Sequence, residues 1–211
     1  MTVIAVVDYG MGNRRSVEKA LEHVGVRAAV TRDHDQIRAA DGLVIPGVGA
    51  FPLAMRRLDE FGLSALIRAR AAAGVPVLGL CLGMQLLFER SEEIEPTEGL
   101  GLIEGDVTAL RAGGLRIPHI GWNDVSFRGD ALLTDGLPAE GCAFYHVHSF
   151  AARPTRPEDV VGTTEYGEAF ATIVACDGVM GVQFHPEKSS AHGLQMLGNF
   201  ARVCGAAPVQ A

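Results

Sequence analysis

A cysteine stands between two glycines at the point where an apolar strand gives way to a helical pattern. Residues 76–80 form an apolar run long enough for a buried strand, and residues 82–89 have helical spacing. Cys81 lies at the junction, two residues after Gly79 and two before Gly83. An abrupt strand-to-helix turn brings these flanking positions together, so both need glycine. The pattern predicts a strained turn that exposes Cys81 above the sheet, over a helix N-terminus whose dipole favours a thiolate.

This turn alone leaves two interpretations of Cys81 open. Free cysteine is among the residue types most often buried as a small apolar side chain. A cysteine at a tight turn between glycines is also the cysteine form of a nucleophile elbow. The rest of the chain has to decide between a core residue and a nucleophile.

Composition favours a single domain in a reducing compartment. With 211 residues, 48% of them apolar, we expect one domain over residues 1–204 and a frayed tail over 205–211. A net charge of −7 argues against nucleic acid or an anionic membrane as the main partner. The four cysteines have no framework spacing, no apolar run approaches transmembrane length, and residues 1–8 resemble a first strand rather than a signal peptide. We expect a cytoplasmic protein.

The first ninety residues alternate between strand and helix patterns. Strands are predicted over residues 3–7, 26–30, 42–45 and 76–80. Helices are predicted over 14–24, over a short segment that ends at Ala40 with Asp33 or Asp35 as its cap, and over 52–73, the last broken near Gly62. Right-handed crossovers turn this alternation into a doubly wound, mostly parallel sheet with helices on both faces. Ligands bind such sheets at the carboxyl ends of the strands, where the loops at residues 9–13, 46–49 and 79–83 fall.

The second half predicts an α/β sheet extended by antiparallel strands. Short β-like pieces occur at residues 102–110, 115–120, 123–127 and 142–147, after an acidic loop at 91–99. Residues 169–184 predict a hairpin that turns at Asp177 and Gly178. A last helix is predicted from about residue 190 to 203.

His185 and Glu187 follow the second strand of that hairpin. A histidine just past a strand end can reach a cysteine at the end of a neighbouring strand, and a carboxylate two residues later can hold the other imidazole nitrogen. Cys81, His185 and Glu187 would then be nucleophile, base and orienting group. Taken singly, His185 and Glu187 are equally consistent with solvated loop residues.

The pair of motifs G-L-C-L-G-M-Q and Q-F-H-P-E, at residues 79–85 and 183–187, resembles the class I, triad-type glutamine amidotransferases. Within that class the chain resembles the glutaminase subunits of imidazole glycerol phosphate synthases, enzymes of histidine biosynthesis. The motifs that carry this likeness are D-Y-G-M-G-N at 8–13, P-G-V-G at 46–49, H-I-G-W-N at 119–123, Y-H-V-H-S-F at 145–150 and Q-F-H-P-E-K-S-S at 183–190. The resemblance covers the chain up to the last helix.

The resemblance implies a role for each matching residue. Cys81 attacks the side-chain amide of glutamine, His185 and Glu187 complete the triad, and the backbone N–H groups of Val48 and Leu82 form the oxyanion hole. The residues implied to contact glutamine are Gly47, Gly49, Gln85, His148, Ser149 and Phe150. Phe150 stands where we would expect tyrosine, so only a backbone contact survives there. The residues implied to face a partner are Asn13, Trp122, Asn123 and Lys188.

Two other kinds of site receive less support. His146 and His148, at i and i+2 on one strand face, could ligate a metal, but no third ligand is suggested nearby. The loop at residues 9–13 lacks both G-x-G-x-x-G and a Walker lysine, which phosphate loops need. Trp122, the only tryptophan, would be a core aromatic without the resemblance. We expect neither metal nor cofactor.

The function implied is hydrolysis of L-glutamine through a Cys81 thioester, with ammonia passed to a separate (β/α)₈-barrel cyclase subunit. That heterodimer would make imidazole glycerol phosphate and aminoimidazole carboxamide ribotide. One alternative keeps the chemistry and changes the pathway, to an anthranilate or aminodeoxychorismate synthase glutaminase. Another is a catalytically silent binding module on the same fold, which the intact set of Cys81, His185 and Glu187 argues against.

Overall fold

The computed structural model describes residues 2–129 and 131–207. Its strands are β1 Val3–Val7, β2 Arg27–Thr31, β3 Gly42–Gly47, β4 Val77–Cys81, β5 Arg90–Ser91, β6 Thr97–Glu98, β7 Gly105–Ala109, β8 His119–Phe127, β9 Cys142–His148, β10 Phe150–Pro154, β11 Val160–Glu165, β12 Ala169–Cys176 and β13 Val179–Val182. Its α-helices are α1 Arg14–His23, α2 His34–Ala39, α3 Phe51–Glu60, α4 Leu63–Ala72, α5 Leu82–Gln85 and α6 Ser190–Val203. Single 3-10 turns occupy Leu132–Thr134, Pro157–Asp159 and Pro186–Lys188.

The sheet has a parallel block and an antiparallel extension, as the pattern predicts. Strand order is β2-β1-β3-β4-β13-β12-β10-β7-β5-β6, and β8 joins β9 to β11 beside this path. All neighbours from β2 to β13 run parallel, and β12, β10 and β7 follow in antiparallel order. The fold class predicted from the sequence is confirmed.

Each face of the sheet has its own core. One packs α2, α3 and α4 on the sheet through buried side chains such as Ile37, Leu58 and Ile67. The other packs α1 and α6, with Leu21, Leu197 and Phe200 fully buried. The inner strands β3 and β4 are buried along their whole length, which explains their continuous apolar runs.

Capping and turn residues in the sequence predicted most helix and strand ends to within a few residues of their positions in the structure. Asp33 caps α2 by accepting hydrogen bonds from the N–H groups of Asp35 and Gln36. Gly62, at φ 65°, separates α3 from α4, and Asp177 and Gly178, at φ 46° and 82°, turn the hairpin between β12 and β13. The last helix spans the residues predicted for it.

Two sequence-based assignments in the second half are wrong or incomplete. Residues 115–118 form no strand, because Pro118 carries no N–H for a ladder and β8 starts only at His119. Strands β10 and β11 were not predicted, since they pair with β7, β12 and β8 from distant parts of the chain. The predicted tail falls partly on residues 208–211, which lie outside the described residues.

Among residues 2–129 and 131–207, every helix is too short or too polar to cross a membrane. The four cysteines are all free thiols, and three of them are buried.

Candidate active site

The chain turns sharply at Cys81, the last residue of β4. Its φ of 54° and ψ of −112° lie in a region that side chains with a Cβ rarely adopt, at a typical cost of about 1–3 kcal/mol. A Cβ on Gly79 would lie 2.5 Å from the carbonyl oxygen of Gly83, and one on Gly83 would overlap the carbonyl oxygen of Ile45. The predicted elbow is confirmed, and its two glycines are required by backbone contacts.

The helix after the elbow is shorter than its sequence pattern. The prediction of a helix to residue 89 is wrong, because α5 ends at Gln85 and two turns of the i to i−3 type follow, at Leu87 and Phe88. The side chains of residues 86–88 are all buried, so this segment has no polar face. A four-residue helix has a small dipole, so a positive charge beside the Cys81 sulfur must come from elsewhere.

That charge comes from His185, which the hairpin brings beside the elbow. Strand β13 pairs with β4 in parallel, so the segment after Val182 runs past Cys81. His185 is 4% exposed, and its Nδ1 lies 3.0 Å from Oε1 of the buried Glu187 side chain. Burial opposes a charge on His185, but hydrogen bonds to Cys81 and Glu187 outweigh it and raise the imidazole pKa to about 10. An imidazolium against sulfur is the arrangement that activates a cysteine nucleophile.

A cavity of about 280 Å³ opens above Cys81. Ten of the residues predicted for the site line it: Val48, Gly49, Cys81, Leu82, Gln85, His148, Ser149, Phe150, His185 and Lys188. Glu187 lies behind His185, and Gly47 lies beside the elbow rather than in the cavity wall. The structure thus brings together residues from four separate segments of the sequence.

The side chain of Gln85 is fixed at the cavity wall. It is 4% exposed, and its Nε2 donates to the carbonyl oxygen of Phe150 and to Oε1 of Gln183, both at 3.0 Å. Both amide hydrogens are therefore engaged within the protein, which leaves Oε1 as the acceptor for a ligand.

Val48 directly follows β3, whose last residue, Gly47, is paired with Cys81 of the elbow. A Cβ on Gly47 would lie 2.6 Å from the nitrogen of Gly83. The hydroxyl of the buried Tyr9 donates to the carbonyl oxygen of Pro46 at 2.6 Å and anchors the start of this segment. Val48 is 43% exposed and Gly49 has φ 97°, so the segment leaves the sheet beside the cavity. The two residues predicted to supply oxyanion donors, Val48 and Leu82, therefore both line the cavity with Cys81.

The cavity also contains Glu93, Pro118 and Val147, which sequence reasoning missed. Oε2 of Glu93 accepts a hydrogen bond from the N–H of Phe51 at 2.8 Å, across 42 positions of sequence. One signal pointed to such a contact: α3 begins after Ala50, which has no side chain able to cap it. A helix start without a local cap needs an acceptor from elsewhere.

Behind the cavity lies a histidine cluster of His119, His146 and His148. We found no third candidate ligand near His146 and His148 in the sequence, but Nδ1 of His119 lies 2.9 Å from Nε2 of His148. Their ring nitrogens are occupied by hydrogen bonds within the protein. Within the described part of the chain, no group of three or more His, Cys, Asp or Glu side chains is arranged to hold a metal ion.

The remaining predicted partner-facing residues lie outside the cavity. Trp122 is 55% exposed on β8, and the neighbouring Asn123 is half-buried. Asn13 precedes α1, where its carbonyl oxygen accepts from the N–H of Val17. Lys188, grouped with them from the sequence, is exposed and borders the cavity itself.

The chain belongs to the class-I glutamine amidotransferases, whose family pattern it matches over residues 5–204. It is 50% identical to the imidazole glycerol phosphate synthase subunit HisH of Moorella thermoacetica over 203 residues, 96% of either chain. It is also 47% identical to the subunit of that name from Symbiobacterium thermophilum, over 96% of this chain and 95% of that one.

Solved structures with little sequence similarity share the fold. A crystal structure of a glutamine amidotransferase superposes with a TM-score of 0.72 at 22% identity, over 96% of this chain and 99% of that one. The structure of PurLQS from Thermotoga maritima gives 0.73 at 20% identity, over 96% and 98%.

Proposed function

We propose that this protein is the glutaminase subunit of an imidazole glycerol phosphate synthase, and that Cys81, His185 and Glu187 are its catalytic triad. The observation that carries the triad is the pairing of β13 with β4, which sets a buried, carboxylate-bound His185 beside the cysteine of the elbow. The names of the relatives, at 46–50% identity over 95–96% of the chain, support the pathway.

The chemistry follows from an ion pair between the Cys81 thiolate and the His185 imidazolium. The sulfur attacks the side-chain amide carbon of glutamine, and the N–H groups of Val48 and Leu82 stabilise the oxyanion. His185 gives its proton to the departing nitrogen, ammonia leaves, and a γ-glutamyl thioester remains on Cys81. Water then attacks the thioester as His185 takes its proton, which releases glutamate and restores the thiolate.

Opposite charges at the cavity suit a free amino acid. Glutamine carries an α-ammonium and an α-carboxylate, and the charged groups at the cavity beside His185 are Glu93 and Lys188. Since Oε2 of Glu93 already accepts from Phe51, its Oε1 would bind the ammonium, and Oε1 of Gln85 would accept from the substrate. The volume of about 280 Å³ is just below the roughly 300–1,000 Å³ of pockets for larger ligands.

The ammonia acceptor would belong to another chain. The relatives are named as subunits of imidazole glycerol phosphate synthase, which supports a partner chain. The family resemblance implies that this partner is a (β/α)₈-barrel cyclase and that both chains are cytoplasmic. Asn13, Trp122, Asn123 and Lys188 are the residues we assign to that interface. The proposed hydrolysis of glutamine uses no cofactor.

The deciding experiment uses Cys81→Ala in the complex with the cyclase subunit. We expect glutamine-dependent synthesis of imidazole glycerol phosphate to fall by more than about 10⁴-fold, and ammonium-dependent synthesis to remain. Glutamine-dependent synthesis that survives in this variant would refute the nucleophile. A wild-type chain that supplies ammonia to anthranilate or aminodeoxychorismate synthase, and not to the cyclase, would refute the pathway, and a chain without glutaminase activity in any complex would be a silent module.

A further inference from the structure

The histidine cluster lies one residue layer behind the glutamine cavity. His119, on β8, is 3% exposed, and His146 and His148, on β9, are 0% and 6% exposed. Tyr166 stacks on His119 with ring centroids 4.0 Å apart, which leaves the His119 ring little freedom to turn. Of the three histidines, only His148 borders the cavity.

The hydrogen-bond partners determine which atom donates and which accepts in each bond that links Asn123, His119, His148 and Phe150. Burial lowers the pKa of His119 and that of His148, so each ring is neutral and has one N–H and one bare nitrogen. Nδ1 of His148 lies 2.8 Å from the carbonyl oxygen of Phe150, which can only accept. Nδ1 of His148 is therefore the donor, and its Nε2 is the acceptor.

The same logic continues outward to Asn123. Nε2 of His148 needs a donor, so Nδ1 of His119, at 2.9 Å, carries the proton, and Nε2 of His119 accepts from the amide of Asn123 at 3.2 Å. The amide cannot be turned over, because its nitrogen also donates to the carbonyl oxygen of Glu165 and its oxygen accepts from the N–H of Asp124, each at 2.9 Å. Three donated hydrogen bonds thus point in one direction, from Asn123 through His119 and His148 to Phe150.

The last acceptor of this series belongs to the cavity wall. The carbonyl oxygen of Phe150 receives both Nδ1 of His148 and Nε2 of Gln85, so its two lone pairs are used. If His119 no longer donated, Nε2 of His148 would be a buried acceptor without a partner. The His148 ring would then be held only through Nδ1 and could turn away from this position. The Phe150 carbonyl oxygen would lose one of its two donors, and its position against Nε2 of Gln85 would be less well fixed.

We propose that His119 is a positioning residue for glutamine binding, acting through His148 on the Phe150 carbonyl and the Gln85 amide without touching the substrate. This inference rests on glutamine being the ligand of the cavity. The effect should appear in KM rather than kcat, because Cys81, His185 and Glu187 lie on other segments. Loss of one such hydrogen bond corresponds to about a tenfold change in binding.

The test compares three variants in the complex with the cyclase subunit. His119→Leu should raise KM for glutamine about tenfold and leave kcat within about twofold. His119→Gln, whose amide can accept from Asn123 and donate to His148, should restore most of that loss. Thr172→Val removes a bond of the same kind, from Thr172 to Nε2 of His146 at 2.9 Å, that lies outside the series, and should leave KM unchanged.

A second measurement tests the inference in case the His119→Leu variant does not fold. In the Cys81→Ala chain, the Kd of glutamine by calorimetry should rise on adding Asn123→Ala, which removes the first donor. The inference is overturned by an unchanged Kd in that variant, by a fall in kcat at constant KM in His119→Leu, or by an equal rise in KM for Thr172→Val. If the wild-type complex neither binds nor hydrolyses glutamine, the proposed function fails instead.

Discussion

Cys81 lies in the cavity and the histidine cluster lies directly behind it, but different kinds of contact hold the two regions. Around Cys81, backbone touches backbone at Gly79 and Gly83, with no space for a Cβ. Around His119, side chains are held by a series of hydrogen bonds between neutral rings and an amide. A clash between backbone atoms cannot be relieved by choosing another side chain. A lost side-chain hydrogen bond can be restored by any residue that offers the same donor and acceptor. The two regions should therefore respond differently to substitution.

The largest expected effect is at Gly83. Gly83→Ala places a Cβ against the Ile45 carbonyl oxygen, and neither strand can move without disrupting β3 or β4. We expect the chain not to fold, or to lose more than about 4 kcal/mol of the free energy of unfolding. Gly198→Ala is the matched control, because its nearest neighbour would be Val24 at 3.9 Å and helix interiors favour alanine by about 1 kcal/mol. Urea unfolding of both variants measures the contrast, and equal stabilities would refute the backbone explanation of the elbow.

Next in size are the effects at the general base. His185→Ala removes both proton transfers and the charge beside Cys81, so glutamine turnover in the complex should fall by at least about 10⁴-fold. Glu187→Gln keeps a hydrogen-bond acceptor for Nδ1 of His185. Its loss of turnover should therefore be about 10–100-fold smaller than that of His185→Ala. Steady-state rates at saturating glutamine distinguish the two, and a His185→Ala chain as active as wild type would rule out the triad.

A smaller loss is expected at the oxyanion segment. We hypothesise that the Val48 N–H points away in the isolated chain and that the synthase with its ligand turns it towards the site, since Val48 lies between two glycines. Val48→Pro removes the N–H and should lower the activated rate by about 10²–10³-fold, with less effect on the basal rate. Val48→Ala keeps the N–H and serves as control. Glutamine hydrolysis by the chain alone, by the complex, and by the complex with acceptor ligand tests the switch, which equal rates in all three would exclude.

The smallest expected effect concerns the stability of the histidine cluster in acid. Burial lowers the pKa of His146 to about 3 and of His148 to about 4, whereas both titrate near 6.5 in an unfolded chain. Between those values the unfolded chain binds more protons, so the free energy of unfolding falls as pH drops below 6.5, by about 1 kcal/mol per histidine per pH unit. In His146→Gln this slope should be reduced. Urea unfolding at pH 6.5 and 5.0 provides the comparison, and identical slopes would contradict it.

The same contrast explains what the sequence could predict. The elbow, the parallel strands and the hairpin depend on local patterns: two glycines around Cys81, continuous apolar runs, and an Asp177-Gly178 turn. His185 could be assigned because it follows a strand in a motif shared with a known class. These signals lie within a few residues of the feature they predict.

Other parts of the site depend on contacts that no local pattern records. Glu93 reaches the cavity from an acidic loop that resembles any solvated loop, and it does so by capping a helix 42 positions away. The link between His119 and His148 joins residues 29 positions apart, through a strand whose start was misplaced. The short α5 was missed because buried apolar residues continue the helical spacing where the backbone has already left the helix.

The order of strands in the parallel block has a consequence for how the protein is made. Strand β13 lies beside β4, yet Cys81 and Gln183 are 102 positions apart, with the whole antiparallel region between them. At about 5–20 residues per second, a ribosome takes several seconds to add that stretch. During this time the growing chain contains Cys81 but lacks His185. With the roles proposed for these two residues, an incomplete chain cannot hydrolyse glutamine, and activity requires the last hairpin to insert next to the elbow.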